Sequence, residues 1–553
     1  MAKHPTEAGN SRKADTATVA SAAVERTATP AQSNRRRWML RIGLLLAACI
    51  IITMAWLGFD RVLNDRRPII VGILHSQTGP MAVSELSMIE AEVLALEEIN
   101  AEGGLLGRPV QWVIADGASD PPTFAKQADR LISKDGACVI IALAWLGFDR
   151  LLNDRRPIIV GILHSQTGPM AVSELSMIEA EVLALEEINA EGGLLGRPVQ
   201  WVIADGASDP PTFAKQADRL ISKDGACVIF GCWTSASRKG VLPVVEAADH
   251  LLVYPMAYEG LEQSPNIIYT GAAPNQQITP AVQWCYERLK ARRFFLIGSD
   301  YIWPHCVNAI ISDQLTALGA EKVNETYVPF GGTDVSAAVR AILETKPDVV
   351  LSSVVGDSAI AFAQALRAAG VDPEKTPVLT FALGENELQT MPRGCMVGNY
   401  ASWSYFQSID RPENARFVDD FKARYGRDRT VQDVMETAYM SVKLWAQAVR
   451  EAGTTDVRPV RYAFRRQSLN APEGTIAVDP QTQHTWRPVS IARIRSDGQF
   501  DIVWRSRTAV RPVPFPSSRS REVWEKFVMD LYRSWGGKWI APVTESAREY
   551  RTP

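Results

Sequence analysis

PIIVGILHSQTGPMAVSE, residues 157–174, decides how this chain is read. Pro157–His164 is a short, β-branched apolar run, and Ser165–Pro169 breaks it with Gly and Pro, the pattern of a buried strand entering a loop. Ser173–Glu191 follows with apolar residues at Met177, Ile178, Val182, Leu183 and Leu185, broadly helical spacing, and stops before Gly192-Gly193. A strand (Val199–Ala204), a helix (Pro210–Ser222) and a strand (Ala226–Phe230) come next. Alternation at these lengths predicts a parallel sheet covered by helices on both faces.

The pattern extends downstream. Leu251–Val253 and Ile267–Thr270 continue the first sheet, and the alternation restarts after Ala273-Pro274-Asn275. Strands Phe294–Gly298, Lys322–Val328, Val349–Ser353 and Val378–Phe381 then alternate with helices. Two longer helices, about 413–425 and 431–451, precede hairpin-like strands Ile491–Ile494 and Phe500–Trp504. The reading is α/β, in two lobes. Past Pro512, Trp524, Phe527, Val528, Leu531 and Trp535 fall on one helical stripe, as in a helix docking on its own domain, the alternative being a face for a partner or a membrane. This tail, residues 513–553, is expected to stand apart from ligand binding.

Upstream, Ala48–Gly136 reappears as Ala137–Gly225, with 85 of 89 positions the same. Structural repeats keep a spacing while side chains drift, so this reads as a recent duplication or an assembly fault in the sequence, and not as a repeat architecture. Copy two runs straight into Gly231-Cys232-Trp233 and is expected to be the working one. Copy one, residues 65–140, reads as a spare βαβ segment or a sequence artefact. Before it, residues 1–37 are polar and expected to be disordered. Arg35, Arg36, Arg37 and Arg41 then lead into Ile42–Phe59, 18 residues without a charge, within a segment 38–59. Basic residues ahead of such a run predict export, with the segment either cut or kept as an inner-membrane anchor.

Composition excludes more than it assigns. The 553 residues carry 59 basic and 62 acidic side chains and a net charge of −3, which gives no electrostatic case for nucleic acid. Mean hydropathy of −0.07 excludes a polytopic membrane protein. Seven cysteines without a CxxC pair and six histidines without HExxH spacing leave no metal or cofactor signature. No nucleophile dyad accompanies Ser235 or Cys232 in a strand-end loop, so an enzyme is not expected.

Ligands of open α/β sheets sit at the carboxyl ends of strands. Four segments there stand out: Gly231–Lys239, Tyr254–Gly260, Gly298–Pro304, and the pair Gly356-Asp357-Ser358 and Gly384–Glu387. They combine hydroxyl donors, carboxylate acceptors and aromatic walls, which is what a small neutral amide requires. Alone, each is as easily a helix cap or a core aromatic pair.

The order of these residues resembles the exported solute-binding proteins of the branched-chain amino-acid class, in the branch that binds urea and short-chain amides. The similarity covers 157–504 and rests on GILHSQTGPMAVSE (161–174), GCWTSASRKGVLPVVE (231–246), YEGLEQSPNIIYTGAAPNQQ (258–277), GSDYIWP (298–304), FQSIDRPENARFV (406–418) and QHTWRPVSIARIRSDGQFDIVW (483–504). It implies a type I periplasmic binding fold, two flavodoxin-like lobes joined by three crossovers near Ala273–Asn275, Ala401–Tyr405 and Pro472–Ile476. Lobe one would comprise 154–274 and 406–472, and lobe two 275–405 and 473–512. The implied ligand contacts are Trp233, Ser235, Tyr254, Tyr301, Trp303, Asp357 and Glu385. Met256 and Leu383 stand where amide-sensing relatives carry hydroxyls. The implied partners are urea or a small neutral amide and the membrane subunits of an ABC permease, in the periplasm, with no cofactor. An amide-responsive sensor built on the same lobes is the alternative.

Overall fold

A computed structural model describes residues 67–79, 81–142, 156–392 and 394–542. The polar tail 1–37 and the apolar segment 38–59 lie outside the described residues. Among those described, no helix is long and apolar enough to cross a membrane. The chain divides into two compact units, 1–148 and 149–553.

In the first unit, β1 (Ile69–His75), α1 (Ala82–Ala101), β2 (Val110–Asp116), α2 (Pro121–Ser133) and β3 (Val139–Ile141) form a parallel sheet of order β2-β1-β3. Its buried cores are small: Val71, Ile73, Ile89, Leu96 and Val110 on one face, Leu74, Ala115, Leu131 and Ala137 on the other.

The second unit begins with the same motif, as β4 (Ile158–His164), α3 (Ala171–Ala190), β5 (Val199–Asp205), α4 (Pro210–Ser222) and β6 (Ile229–Gly231). It continues through α5 (Ser235–Ala247), β7 (Leu252–Tyr254) and β8 (Ile267–Tyr269). These five strands are parallel in the order β5-β4-β6-β7-β8. Residues alternate between faces as the pleat requires. Val160, Ile162 and Phe230 meet α3, while Leu163 and Ile229 share a cluster with α4 and α5.

The second lobe comprises α6 (Ile278–Arg288), β9 (Arg293–Ser299), α7 (Ile302–Leu318), β10 (Glu321–Val328), α8 (Ser336–Thr345), β11 (Val349–Ser353), α9 (Gly356–Ala368), β12 (Val378–Thr380), α10 (Glu385–Thr390) and β13 (Tyr400–Trp403). Its strand order, β10-β9-β11-β12-β13, repeats that of the first lobe, and antiparallel strands β17 (Ser490–Ile494) and β18 (Phe500–Arg505) extend the edge. Between them the chain returns to the first lobe as α11 (Pro412–Tyr425), α12 (Asp433–Ala452), α13 (Val457–Phe464) and the small sheet β14 (Ser468–Ala471), β15 (Gly474–Val478), β16 (Thr485–Trp486).

Ile476 and Val478 pack with Val160, Trp445 and Phe464 in the first lobe's core. The third passage between lobes therefore runs through Arg487–Val489, not through Pro472–Ile476. A hairpin strand looks the same in sequence whichever core it joins. Arg487 is fully buried and ties the passages together: it donates to Glu473 at 2.7 Å, Thr437 Oγ1 at 2.6 Å and the Thr270 carbonyl at 3.1 Å. Asp433, 3.7 Å from Arg487, accepts the Ser404 and Tyr405 N–H groups at 2.9 Å each.

Past β18, α14 (Arg521–Ser534) buries Trp524 and Val528, as its apolar stripe predicts.

Candidate functional site

Both sheets run 2-1-3-4-5 in their own strand order, the doubly wound order whose ligand crevice opens at the reversal point. In the first lobe that point lies between β4 and β6. Gly231 has φ +147°, and a Cβ there would stand 2.0 Å from the Leu163 carbonyl oxygen, so only glycine fits. Cys232 follows at φ 65°, a left-handed conformation costing a non-glycine residue roughly 1–2 kcal/mol. This turn brings Trp233, Thr234 and Ser235 to the carboxyl edge of the sheet.

Thr234 caps α5, its hydroxyl accepting the Ser237 N–H at 3.0 Å, so Ser235 is not used as the cap. Ser235 Oγ instead donates to Glu259 and accepts from Arg238 Nη1 at 3.0 Å. Its one proton is committed, and a spare lone pair is what it offers a ligand. Arg238 is fully buried. It donates to Glu259 at 2.9 Å and Glu262 at 2.7 Å, and its guanidinium lies over the rings of Tyr254 and Tyr258 at 4.8 and 4.4 Å. Lys239 Nζ donates to the other Glu262 oxygen at 2.8 Å. Burial alone would raise the Glu262 pKa, but the two cations outweigh it and hold the carboxyl down at about 2. Arg238, Lys239, Glu259 and Glu262 thus form a closed quartet of zero net charge. Tyr254 closes this wall, donating its hydroxyl to the Trp233 carbonyl at 2.8 Å.

The second lobe contributes the segment after β9. Tyr301 stands at the N-cap of α7, its ring 6.3 Å from Trp303 and edge-on to Phe330. Burial first, then Tyr254 and Glu259 of the opposite lobe, push the Tyr301 hydroxyl well above its ordinary pKa. The indole nitrogens of Trp233 and Trp303 are buried donors without a protein acceptor. The lobes also touch beside this crevice. Ser173 donates to Glu387 at 2.9 Å, and a Cβ on Gly356 would stand 2.6 Å from the Pro169 carbonyl oxygen.

Of the residues implied by the resemblance, Trp233, Tyr254, Tyr301 and Trp303 share one buried cluster, and Ser235 is buried as well. Asp357 is exposed in the first turn of α9. Glu385 is buried but accepts the Gln407 N–H at 2.8 Å, a bond to the second passage, and burial pushes its carboxyl up to about 8. Glu387, two residues on, is the one that reaches the first lobe. Sequence reasoning missed the quartet. The signal was there: Arg238 and Lys239 are the fourth and fifth residues of α5, near an N-terminus whose helix dipole disfavours cations, so nearby carboxylates had to compensate.

Cys232 is buried, and burial together with Glu174 pushes its thiol far up, away from the thiolate a nucleophile needs. His164 lies between Glu174 (3.3 Å) and Glu181 (3.1 Å). Burial would lower its pKa, but the two carboxyls hold it at about 9. Among the described residues no cluster of three or more His, Cys, Asp or Glu side chains could hold a metal ion. A recess of about 470 Å³ lined by Leu388, Met396 and Arg495 includes none of the crevice side chains.

The model of the periplasmic binding protein domain matches residues 69–150 and 158–521, taking in both copies of the repeat. Curated relatives include the Leu/Ile/Val-binding protein homolog 8 of Brucella suis, 26% identical over 415 residues, 69% of this chain and 98% of that protein. The leucine-, isoleucine-, valine-, threonine- and alanine-binding protein of Pseudomonas aeruginosa is 22% identical over 346 residues, 61% of this chain and 90% of that protein. A protein named limonene hydroxylase from Geobacillus stearothermophilus is 32% identical over 139 residues, 24% of this chain, which spans only 25% of that protein's length. The chain likewise spans about half, 53%, of the Leu/Ile/Val-binding protein BraC3 of Rhizobium johnstonii. Among solved structures, a solute-binding protein of an ABC transporter from R. palustris, in complex with 4-hydroxybenzoate, superposes with a TM-score of 0.59 at 20% identity, covering 64% of this chain and 98% of the other. The leucine-binding protein LivK of Thermotoga maritima gives 0.56 at 19% identity, covering 63% and 98%. These likenesses share the type I architecture of two doubly wound lobes. The chain belongs to the periplasmic binding protein family.

Proposed function

We propose that this chain captures urea or a short-chain amide between its lobes and delivers it, outside the cytoplasm, to an ABC permease, without turning it over. The observation that carries this reading is the pairing of a neutral, internally satisfied charge quartet with two unpaired indole donors. Arg238 and Lys239 are already engaged by Glu259 and Glu262, so this wall offers no spare cation for a carboxylate ligand. Trp233 Nε1 and Trp303 Nε1 need an acceptor, and a neutral carbonyl oxygen supplies one. Leaving a buried donor unpaired costs about 1–3 kcal/mol, which such a ligand relieves. Ser235 and the tyrosine hydroxyls can accept its N–H groups. Buried Met256 and Leu383 leave an apolar surround suited to a small ligand. Asp357 and Glu385 drop out of the contact set, one for exposure and one for its bond to Gln407. Export follows from the family, and Ile42–Phe59 would provide the signal or anchor.

A second reading is a branched-chain amino acid, favoured by the names of relatives matched over nearly their whole length. Trp233→Phe and Trp303→Phe test the donor role that the first reading rests on, because each keeps an aromatic ring and removes the N–H. Each should weaken urea or acetamide binding about fivefold, the usual worth of one neutral hydrogen bond. Parent-like affinity in both would show that the indoles serve packing alone. Sustained, protein-dependent ammonia release from excess urea or acetamide would end the non-enzymatic reading.

A further inference from the structure

The chain beyond β18 does not stand apart from the crevice. It leaves the passages between lobes at Val510, which exchanges main-chain bonds with Arg487 at 2.8 and 3.4 Å. Asn275, in the first passage, holds it at Arg511 and Val513 (2.7 and 2.8 Å). It next touches the first lobe, where the Leu261 N–H donates to the Pro514 carbonyl at 2.8 Å. The approach is so close that a Cβ on Gly260 (φ +67°) would stand 2.1 Å from that same oxygen. It then docks on the second lobe. Arg519 makes a two-pronged pair with Asp313 of α7 (2.7 and 2.6 Å), and Trp524 is buried with its indole donating to the Pro516 carbonyl at 2.9 Å.

The last described residues reach the ligand wall. Trp539–Ala541 runs antiparallel beside Asp300–Ile302: the Ile302 N–H donates to the Trp539 carbonyl and the Ala541 N–H to the Asp300 carbonyl, both at 3.1 Å, with Tyr301 paired to Ile540. Tyr301 and Trp303, the second-lobe aromatics, are thus held from behind by a segment that arrives about 240 residues later in sequence. The Trp539 ring also lies 5.0 Å from Lys239 Nζ, a member of the first-lobe quartet. One residue is therefore bonded through its backbone to one lobe and through its ring to the other.

We infer that residues 511–541 form a strap across the crevice, in which the Trp539–Ala541 strand positions Tyr301 and Trp303 and the Trp539–Lys239 contact latches the lobes around bound ligand. The latch rests on the ligand reading above; the positioning of the wall does not. The strap's contacts join the two lobes directly, so its loss should act on ligand escape more than on capture. A tail serving only as added core would change global stability and leave that partition alone.

Full-length variants test this. Ala541→Pro removes the N–H given to Asp300 without altering a side chain used elsewhere in the crevice. Amide exchange at Ile302, measured without ligand, should rise about tenfold or more as that strand frays. Trp539→Ala should raise the dissociation rate of urea or acetamide about fivefold to tenfold with association little changed, in the range a partly buried cation–π contact supplies. Trp539→Phe, which keeps an aromatic face, should recover most of that loss. Unchanged Ile302 exchange in Ala541→Pro overturns the positioning claim. An unchanged dissociation rate in Trp539→Ala, or a slowed association rate instead, overturns the latch. If the parent binds neither urea nor acetamide, the ligand reading fails and the latch fails with it, while Ile302 exchange still decides whether the strap positions the wall.

Discussion

Helices α1 and α3 have the same twenty residues, the same type of N-cap and C-cap, and very different surroundings. In α1 only Glu85, Ile89 and Leu96 are buried; in α3 the buried set extends to Met177, Ala180, Leu183, Ala184, Leu185 and Ile188. Leu94 is 57% exposed, and its counterpart Leu183 is 5% exposed. The difference is what covers them. Against α3 lie α11 and α12, with Arg424 on Glu186 (2.9 Å), Tyr439 and Lys443 on Glu187 (both 2.6 Å), and Arg429 on Glu179. Local sequence decides that a helix and a βαβ hand-over form. It does not decide whether the unit is a core or a remainder, because burial depends on partners hundreds of residues away.

The comparison can be broken by matched substitutions. The largest effect is expected from His164→Ala, which leaves Glu174 and Glu181 buried without their cation and should destabilise the second unit by about 3–5 kcal/mol. His75→Ala, in the first copy, should leave the main unfolding transition where it is. Chemical denaturation of the two variants checks this, and equal shifts would mean that the copies share one cooperative core. Leu183→Ala should cost about 2–5 kcal/mol by cavity formation, against about 0.5 kcal/mol or less for Leu94→Ala.

A third test concerns the second-lobe helix that α3 meets across the crevice. Burial raises the Glu385 carboxyl from 4.5 to about 8. The folded state therefore holds a proton that the unfolded chain releases, and this contribution is complete below about pH 4.5 and lost as pH rises through about 8. Glu385→Gln should flatten the decline in melting temperature over that interval; an unchanged slope would place the titration elsewhere. The smallest effect is expected from deleting residues 65–154. The main transition should keep its midpoint and its cooperativity, because copy two supplies β4 through β6 by itself. A broadened or shifted transition would show that copy one supports the core.

Much of the architecture was legible because it rests on local pattern. The run Ile158–His164 and the spacing from Met177 to Leu185 read as strand and helix without tertiary information. The rule that ligands sit beyond strand ends led to the segments Gly231–Lys239, Tyr254–Gly260 and Gly298–Pro304, and the family resemblance singled out Trp233, Ser235, Tyr254, Tyr301 and Trp303 within them. What escaped depended on distance along the chain. Glu259 and Glu262 find Arg238 from 21 and 24 residues away. Glu385 is claimed by Gln407, and no spacing foretells that an acceptor so placed is already occupied. The pairing of Trp539 with Ile302 is longer in range still, and residues 539–541 carry no strand pattern of their own.

The central claim is that the crevice holds a small neutral carbonyl compound. Isothermal titration of the full chain with urea, acetamide, leucine and 4-hydroxybenzoate tests it most directly. Urea has four non-hydrogen atoms, and at about 1.5 kcal/mol each for the best small ligands the ceiling is roughly 6 kcal/mol, a dissociation constant between millimolar and micromolar. Saturable one-site heat with urea or acetamide in that range, and none with leucine or 4-hydroxybenzoate, is the predicted result. Saturable binding of leucine or 4-hydroxybenzoate, with none for urea or acetamide, would contradict it.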